Sequence, residues 1–447
     1  MLATLKDYFG EKVSFDPAIL EAHGRDSSYP AVQPPEAVVF AESVEDVQKI
    51  LAWCRTQHMP LIPFGTGSSL EGHVTPIAPA ISLDFSRMNR VLDVRPQDFL
   101  VAVEPGVTRE QLDRALQDSG LFFPVDPGAN ASLGGMAATN ASGTTTVRYG
   151  GMRQNVVELD VVLANGEALH LGRSVRKTSS GYDLKDLFIG SGGTLGIITR
   201  LVLRLYPVPI FVHTLRVFFP GLVEAAEAAY RIMASALPVA RLELLDEHSI
   251  KVINRDLQRT YLEKPALFLE FHSSTGEAIE AESELVDKIV RETGALDINV
   301  ARHAQDRADQ WEARHNFYWS FVRSNPGSVF YTTDIAVPLS RVPEAVSYAQ
   351  QLLTEMALEG AIVGHVGDGN FHTLLATPPE EYARAEAFSE LLVKRSLELG
   401  GTATGEHGVG LVKRKFMEAE HGAALEWMRH IKALFDPEGI LNPGKIV

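Results

Sequence analysis

Short apolar runs of strand length recur through the first half of the chain, separated by segments with helical periodicity. Strands are predicted at residues 34–40, 60–64, 80–83, 100–103, 121–125 and 156–163, and helices at 47–54 and 109–118. Ser43, with Asp46 three positions later, forms a near capping box at the start of the first of these helices. Asn165-Gly166, between two apolar runs, predicts a hairpin.

The pattern changes after residue 210. Strands are predicted at 212–219, 242–246 and 266–271, and helices at 222–237 and 276–293, which indicates an α+β domain with an antiparallel sheet covered on one face. A lead-in helix is predicted from residue 14 and is ended by Gly24 and Pro30. The predicted parts are a lead-in (1–33), a first domain (34–209), a second domain (210–430) and a C-terminal segment (431–447) that returns to the first domain.

Two stretches of small residues interrupt the first domain. Residues 65–69 read Gly-Thr-Gly-Ser-Ser and follow a predicted strand directly, so their backbone N–H groups and hydroxyls are suited to holding a phosphate. A plain β-turn is the competing interpretation of this segment. Residues 127–151 are rich in glycine and small polar residues between two strand patterns. We interpret them as backbone wrapped around a large flat ligand.

The second domain contains a pair of histidines in a glycine-rich context. His365 and His372 lie in Gly-His-Val-Gly-Asp-Gly-Asn-Phe-His, and Glu406-His407 lies further along between glycines. Neutral imidazoles with a carboxylate are common ligands of divalent transition metals. We therefore predict His365, His372 and Glu406 as metal ligands and His407 as a catalytic base. The histidine spacing alone is a weak signal, because the chain has 14 histidines.

Composition narrows the class of protein. The chain has 447 residues, enough for two or three domains, with 45% apolar and 22% charged residues. The net charge of −16 argues against a nucleic-acid partner. Cys54 is the single cysteine, which excludes an intrachain disulfide, and we predict it as a small core residue.

Targeting signals are absent from the pattern. No apolar run reaches the ~18 residues of a membrane span, and the first fifteen residues lack a signal-peptide core. A cytoplasmic protein is therefore expected, and peripheral docking on the inner face of the membrane stays open.

Taken together, these motifs resemble a known family. The chain is similar to the FAD-dependent dehydrogenases of the vanillyl-alcohol oxidase / p-cresol methylhydroxylase superfamily. Within it, the chain resembles the branch that contains cytochrome-type D-lactate dehydrogenase, the FAD-binding subunit of glycolate oxidase, and D-2-hydroxyglutarate dehydrogenase. The resemblance runs from about residue 34 to residue 447. It rests on the segments 63–72, 127–151, 364–372, 405–408 and 442–445.

The resemblance implies an α+β architecture: a two-lobed FAD-binding domain of the p-cresol methylhydroxylase type and an α+β cap domain with an antiparallel sheet. It implies that the FAD diphosphate contacts Gly65, Thr66, Gly67, Ser68 and Ser69. It implies that the ribityl chain and flavin are lined by Ser132, Gly135, Asn140, Ser142, Gly143, Arg148 and Gly150. Ile198 near the adenine or ring wall and Asn442 complete the implied cofactor set.

The resemblance also implies a divalent metal on His365, His372 and Glu406, with His407 as the base beside it. Zinc, manganese and iron all suit this ligand set, and zinc or manganese is expected. Arg314, in Trp-Glu-Ala-Arg, matches the arginine that binds the substrate carboxylate in the family. Without the family, a surface salt bridge on a helix is the favoured interpretation of Arg314.

Two departures from the family bear on the reaction. Gly192 stands where relatives have a glutamate, so any role of that glutamate is absent. Thr332 stands where hydroxyglutarate-type relatives have a lysine, which leaves a distal carboxylate without a cation. This favours a monocarboxylate such as D-lactate, oxidised to pyruvate. D-2-Hydroxyglutarate, glycolate and an FAD-binding subunit of a glycolate-oxidase complex are the alternatives.

The remaining expectations concern partners. The electron acceptor would be a cytochrome, a quinone or an electron-transfer flavoprotein, and a homodimer stays open. His73 lies close to the phosphate-binding segment, and some superfamily members attach FAD to a histidine. His73 is outside the usual attachment context, so non-covalent FAD is expected.

Overall fold

The computed structural model describes residues 2–27 and 32–447. Pro30, one of the residues predicted to end the lead-in helix, lies outside the described residues. The helices are α1 Leu2–Phe9, α2 Pro17–Ala22, α3 Val44–Gln57, α4 Arg109–Leu116, α5 Leu133–Thr139, α6 Thr146–Tyr149, α7 Met152–Asn155, α8 Lys185–Phe188, α9 Leu222–Ala234, α10 Glu247–Asp256, α11 Gly276–Glu292, α12 Ala304–His315, α13 Phe317–Ser324, α14 Val342–Glu355, α15 Tyr382–Glu398, α16 Met417–His421 and α17 Ala424–Phe435.

The strands are β1 Val13–Ser14, β2 Ala37–Phe40, β3 Leu61–Phe64, β4 Ile81–Asp84, β5 Val91–Arg95, β6 Leu100–Val103, β7 Leu121–Phe122, β8 Val156–Val162, β9 Ala168–Gly172, β10 Ile197–Arg204, β11 Tyr206–Pro207, β12 Phe211–Phe218, β13 Val239–Leu245, β14 Ala266–Ser273, β15 Asp297–Ala301, β16 Val329–Thr332, β17 Ile335–Ala336, β18 Glu359–Gly364 and β19 Asn370–Thr377. Short 3-10 helices lie at Gly10–Lys12, Pro96–Asp98, Leu339–Arg341, Val366–Asp368, Pro379–Glu381 and Arg414–Phe416.

The chain forms two compact units. Unit 1 contains the described residues up to Ser142 together with Gly150–Val208 and Glu406–Val447, and unit 2 contains Gly143–Tyr149 and Pro209–Gly405. This division differs from the predicted second domain, 210–430, at its C-terminal end. Local periodicity predicts elements, but the core on which a segment packs depends on long-range contacts. Phe435 of α17, for example, packs edge-on against Phe188 of α8 with ring centroids 5.3 Å apart.

Unit 1 contains two larger sheets. In the first, of order β1-β2-β4-β3, strands β2, β3 and β4 are parallel and β1 is antiparallel to β2. All four residues of β4 are buried, as expected for a parallel strand covered on both faces. The second sheet, β5-β6-β10-β8-β9, is antiparallel. Its β8–β9 pair is the hairpin predicted at Asn165-Gly166.

The helix predicted after Ser43 is α3, and its cap forms with one change. The Ser43 side chain accepts a hydrogen bond from Asp46 N at 3.3 Å, as the capping pattern predicts. The Asp46 carboxylate instead accepts from Glu42 N at 3.0 Å, one residue before the expected partner. Cys54, on the same helix, is buried in the core, and burial raises the pKa of its thiol. This position agrees with the prediction of a small core residue.

The glycine-rich stretch 127–151 contains two short helices, α5 and α6, and α7 follows it directly; the sequence pattern predicted none of the three. The strand predicted at 121–125 shortens to β7, Leu121–Phe122. Helix α6 belongs to unit 2, whereas the residues on either side of 143–149 belong to unit 1.

Unit 2 is built on an eight-stranded sheet. Its order is β15-β12-β14-β13-β18-β19-β16, with β17 paired to β19, and its pairings are antiparallel, which confirms the predicted sheet type. Phe268 of β14 packs with Trp311, Phe317 and Phe321 of α12 and α13 in one hydrophobic cluster. These contacts hold α12 against the sheet, which matters because α12 carries Arg314.

The C-terminal segment extends the first sheet of unit 1. Leu61 N donates to Ile440 O at 2.8 Å and Asn442 N donates to Leu61 O at 2.9 Å, which places the segment beside β3. Lys445 is buried, and its ammonium donates to Thr75 O. Burial lowers the pKa of Lys445 to about 8. Among the helices of residues 2–27 and 32–447, none combines the length and apolar character needed to cross a bilayer.

Candidate functional site

The predicted histidine pair lies at one end of two neighbouring strands of unit 2. His365 follows β18, and His372 is the third residue of β19, paired with Val363 across the ladder. The two imidazole rings are 5.6 Å apart between centroids and nearly perpendicular, at 83°. The connection is tight because Gly369 has φ +79° and a Cβ there would lie 2.1 Å from Val337 O. The glycines of the motif therefore serve a close turn that brings the two rings together.

Hydrogen bonds fix the orientation of both rings. His365 Nδ1 lies 2.6 Å from Glu243 Oε1, and His372 Nδ1 lies 3.0 Å from the Thr333 carbonyl oxygen. Because both partners accept, each Nδ1 carries a proton, and Nε2 is the nitrogen of each ring that can offer a lone pair. This arrangement is typical of metal-ligating histidines, whose second nitrogen donates to a carboxylate or a carbonyl. The donor chemistry therefore fits a divalent metal ion.

Glu243 of β13 is a site residue that the sequence analysis missed. Its side chain is fully buried, and its Oε2 accepts from Arg314 Nε at 2.9 Å and from Arg314 Nη2 at 2.7 Å. Burial alone would raise the pKa of Glu243, but the electrostatic interactions and hydrogen bonds with His365 and Arg314 outweigh it and lower the pKa. The sequence signal that could have identified Glu243 was a single acidic residue inside a leucine-rich strand.

Arg314, predicted as the carboxylate clamp, uses only one side of its guanidinium for this ion pair. The Nε–Nη2 edge faces Glu243, which leaves the Nη1–Nη2 edge as a second pair of donors with the geometry of a carboxylate. One helical turn earlier, the Trp311 indole N–H donates to Glu270 Oε2 at 2.7 Å. Helix α12 is thus bound to buried carboxylates of two adjacent strands.

The end of unit 2 is fixed against the same strand as His372. Buried Asp334 accepts from Asn370 Nδ2 at 2.8 Å and from Thr404 Oγ1 at 2.8 Å, and its Oδ1 lies 3.6 Å from His372 Nδ1. A Cβ on Gly405 would lie 2.1 Å from Asn370 Nδ2, so the backbone approaches closely there. Glu406 follows Gly405 directly in the chain and is the first residue of the last segment of unit 1.

His407 in unit 1 is also oriented by a carboxylate. Its Nδ1 lies 3.2 Å from Oε1 of Glu71, a buried residue that the sequence analysis did not assign a role. The acceptor fixes the proton on Nδ1, which puts the basic lone pair on Nε2. His73 Nε2 donates to the carbonyl oxygen of His407 at 3.0 Å, so His73 is the Nε2–H tautomer. Burial lowers the pKa of His73, and within the described chain its Nδ1 makes no hydrogen bond.

The predicted phosphate-binding segment, residues 65–69, forms the loop after β3. A Cβ on Gly65 would lie 2.1 Å from Ser132 Oγ, and one on Gly135 would lie 2.9 Å from the same atom. The loop and the start of α5 therefore form a narrow backbone cradle that side chains would fill. Asp26 stabilises the loop, because its carboxylate accepts a hydrogen bond from Ser69 Oγ at 3.2 Å. This cradle fits a cofactor diphosphate bound by backbone N–H groups.

Asn442 supplies a second observation on cofactor fit. Its Nδ2 donates to Gly192 O at 2.8 Å and to His73 O at 3.2 Å, and its Oδ1 is buried without a hydrogen bond among the described residues. A bound group that offers a donor at this position would satisfy that acceptor.

The other predicted cofactor residues are distributed over both units. In unit 1, Asn140 Oδ1 accepts from Arg153 N at 3.0 Å, and Ile198 packs in the core of the second sheet. Ser142 and Gly150 flank the segment that belongs to unit 2. Within unit 2 lie Gly143 and Arg148, whose Nη1 donates to Pro238 O at 2.6 Å. Contacts to FAD remain a prediction for each of these residues.

Comparison with known protein families identifies the family of this chain. The family model described as "FAD binding domain" matches residues 35–172, and the one described as "FAD linked oxidases, C-terminal domain" matches residues 208–446. The chain belongs to the FAD-linked oxidases. It is therefore a flavoprotein oxidoreductase, as its resemblance implied.

Curated relatives in this family match over most of their length. "Probable D-lactate dehydrogenase, mitochondrial" of Danio rerio is 44% identical over 98% of this chain and 89% of its own. "D-lactate dehydrogenase [cytochrome], mitochondrial" of Arabidopsis thaliana is 38% identical over 100% of this chain and 80% of its own. "Glycolate oxidase subunit GlcD" of Bacillus subtilis is 33% identical over 92% of this chain and 89% of its own.

Solved structures confirm the predicted fold class. The crystal structure of p-cresol methylhydroxylase with substrate bound has a TM-score of 0.81 and covers 99% of this chain and 95% of its own. At 18% identity, this likeness shows the fold alone.

Proposed function

We propose that this chain is an FAD- and metal-dependent dehydrogenase that oxidises a D-2-hydroxy acid, with D-lactate and pyruvate as the preferred pair. The observation that carries the proposal is the binding of both His365 and Arg314 to the single carboxylate of Glu243. A 2-hydroxy acid has its hydroxyl and carboxylate on adjacent carbons. Its site needs a metal-ligating group and a fixed cation at a similarly short separation, which this pairing supplies.

His365, His372 and Glu406 would hold the divalent ion, zinc or manganese. A divalent ion, when bound, acts as a Lewis acid that lowers the pKa of a coordinated hydroxyl. Glu406 is proposed as the third ligand because it follows Gly405, which is packed against Asn370 beside the His372 strand. Two imidazoles and one carboxylate form a ligand set that both metals accept.

The chain's own residues orient the substrate and move one proton. Arg314 binds the substrate carboxylate through its Nη1–Nη2 edge while Glu243 holds the other edge. His407 accepts the 2-hydroxyl proton at Nε2, because Glu71 keeps the other ring proton on Nδ1. Bound FAD would supply the acceptor for the hydride from C2. The loss of one proton and one hydride converts the 2-hydroxy acid into the 2-oxo acid.

The proton-transfer role is tested by anaerobic flavin reduction. His407→Ala should slow flavin bleaching by D-lactate by about 100-fold or more, which is a common contribution of a positioned base. Glu406→Gln should slow it as well, because it removes a proposed metal ligand. Stopped-flow absorbance on the purified, metal-loaded protein measures this rate. His430→Ala is the matched control, because His430 is an exposed histidine on α17. Bleaching at the wild-type rate in both site variants would remove these residues from the reaction.

D-Lactate is preferred over the other candidate acids for two reasons. Thr332 supplies no cation for a distal carboxylate, and the fish and plant relatives carry the D-lactate name. Glycolate is the second candidate, supported by the name of the Bacillus subtilis relative. A comparison of kcat/KM for D-lactate, glycolate and D-2-hydroxyglutarate with a dye acceptor decides between them.

The same dye assay on the single purified chain separates a self-sufficient enzyme from an FAD-binding subunit that requires partners. A cytochrome, a quinone or an electron-transfer flavoprotein is the proposed physiological acceptor, and the term "cytochrome" in the plant relative's name supports the first. The cytoplasmic location stays a prediction, since two relatives are named mitochondrial.

A further inference from the structure

Glu243 lies where two functional groups of different kinds meet. Its Oε1 accepts from His365 Nδ1 at 2.6 Å, and its Oε2 accepts from Arg314 Nε and Nη2 at 2.9 and 2.7 Å. Its side chain has no exposed surface. Each carboxylate oxygen is therefore used by a different partner.

Strand pairing explains why one residue can reach both partners. In the antiparallel β13–β18 ladder Leu244 pairs with Gly364, so the register places Glu243 opposite His365, the residue directly after β18. Arg314 comes from α12, which packs over β14 and β13 through the Trp311 cluster. The strand fixes the carboxylate, and the carboxylate fixes one ring and one guanidinium.

We propose that Glu243 is a positioning residue that links the metal ligand His365 to the carboxylate clamp Arg314, so that metal affinity and substrate-carboxylate binding both depend on it. The inference rests on the proposed function. Glu243 holds the proton of His365 on Nδ1, so that Nε2 faces the metal. It also occupies the Nε–Nη2 edge of Arg314, so that the Nη1–Nη2 edge is turned to the substrate.

The charges explain why a neutral residue cannot replace Glu243. Both of its partners donate, and a glutamine amide offers one acceptor and one donor. In Glu243→Gln the amide N–H₂ must face either His365 or Arg314, and that contact becomes a repulsion between donors. Arg314 is largely shielded from solvent, so without its carboxylate it is also a poorly compensated charge. Loss of Glu243 should therefore affect both sites together.

The test uses the full-length FAD-loaded protein after metal removal. Binding of Mn²⁺ is titrated by calorimetry, and KM and kcat for D-lactate are measured at saturating Mn²⁺. Glu243→Gln should weaken Mn²⁺ binding by about 10- to 100-fold, as is usual for a residue that orients a metal ligand. The same variant should raise KM for D-lactate about tenfold or more at saturating metal.

Asp246→Asn is the matched control. Asp246 is a buried carboxylate directly after β13 that caps α10, accepting from Ser249 N at 2.7 Å. Its hydrogen bonds go to Ser249 and to Ile362 N, and it contacts neither His365 nor Arg314. This variant should change the melting temperature and leave Mn²⁺ affinity and KM within about twofold of wild type. Residues that share no interaction partner usually have independent effects.

The outcomes separate this inference from the proposed function. Mn²⁺ affinity and KM unchanged in Glu243→Gln, or changed equally in Asp246→Asn, would overturn the positioning role. Wild-type protein that binds Mn²⁺ without oxidising D-lactate would overturn the proposed substrate, and the calorimetry would still decide the role of Glu243. If Glu243→Gln does not fold, Glu243→Asp is measured by the same criteria, since its shorter side chain cannot reach both partners.

Discussion

The two edges of the Arg314 guanidinium give a sharp prediction at the scale of single residues. Lysine keeps the positive charge but has one ammonium group, which cannot serve Glu243 and a substrate carboxylate in parallel. Arg314→Lys should raise KM for D-lactate about 10- to 100-fold, equivalent to the loss of one charge-assisted hydrogen bond of about 1.5–3 kcal/mol. Steady-state kinetics with a dye acceptor measure this change.

The control for Arg314 comes from the same part of unit 2. Arg259 Nη2 donates to Glu312 Oε2 at 2.8 Å, and the pair is solvent-accessible. Such surface pairs contribute little, so Arg259→Lys should leave KM unchanged. If Arg314→Lys also leaves KM unchanged, charge alone, without the two-edged geometry, explains the role of Arg314.

The sequence predicted the residues that stand in local motifs and missed those that support them. His365 and His372 were recognisable because the glycines around them indicate a close turn. Glu243 and Glu71 were not recognisable, because their partners are 122 and 336 positions away in the chain. A buried carboxylate inside a strand looks like any other polar residue until strand pairing brings its partner to it.

At the scale of elements, Glu270 on β14 holds three neighbouring elements together. Thr214 on β12 and Trp311 on α12 both donate to its Oε2, at 3.1 and 2.7 Å. His272, on the same strand, contacts its Oε1 at 2.9 Å and also contacts the Tyr149 hydroxyl at 2.7 Å through its other nitrogen. Arg241 on β13 lies 3.7 Å from Oε1. The carboxylate is therefore surrounded by polar hydrogens from β12, β13, β14 and α12.

These contacts predict how stability depends on pH. Burial alone would raise the pKa of Glu270, but the hydrogen bond with His272 and the charge of Arg241, with further hydrogen bonds, lower the pKa to about 2. Because the pKa is lower in the folded state, the stabilisation is complete above the unfolded value of about 4.3 and is lost as pH falls toward 2. It amounts to about 3 kcal/mol.

Glu270→Gln should therefore lower the urea midpoint of unfolding at pH 7, and the difference from wild type should shrink steadily below pH 4. Urea unfolding followed by tryptophan fluorescence at pH 7, 5, 4 and 3 measures it. The exposed Glu292→Gln on α11 is the control and should match wild type throughout. A Glu270→Gln deficit that stays constant down to pH 3 would contradict the lowered pKa.

The elements that were predicted correctly have signals that are local. The cap at Ser43 and the hairpin at Asn165-Gly166 both formed where the sequence placed them. Helices α5, α6 and α7, in and directly after 127–151, were not predictable from periodicity, since α6 and α7 have four residues each and show no repeat. Their helical turns depend on packing against neighbouring elements, which a local pattern does not contain.

At the scale of the whole molecule, each unit holds residues of both predicted sets, since the metal ligand Glu406 lies in unit 1 and the cofactor residue Arg148 lies in unit 2. The backbone cradle around Gly65 and Ser132 belongs to unit 1, and the histidine pair belongs to unit 2. The sequence predicted two α+β domains, but it did not show that the chain enters unit 2 for residues 143–149 or returns to unit 1 at Glu406. The core on which a segment packs decides the unit that it joins. Apolar periodicity does not differ between the two cores, so it cannot predict this choice.

Because the predicted metal ligands and the predicted cofactor residues have no member in common, metal and flavin should be removable independently. A chelator should take the metal from His365 and His372 and abolish D-lactate oxidation, while FAD stays bound because its predicted contacts are other residues. Dialysis against EDTA, followed by absorbance for flavin content and the dye assay for activity, measures both. Added Zn²⁺ or Mn²⁺ should restore turnover, and dialysis against EDTA already saturated with Mn²⁺ is the control for non-specific effects of the chelator. Full activity in protein shown by elemental analysis to be metal-free would refute the metal site, whereas release of FAD together with the metal would show that the two sites depend on each other.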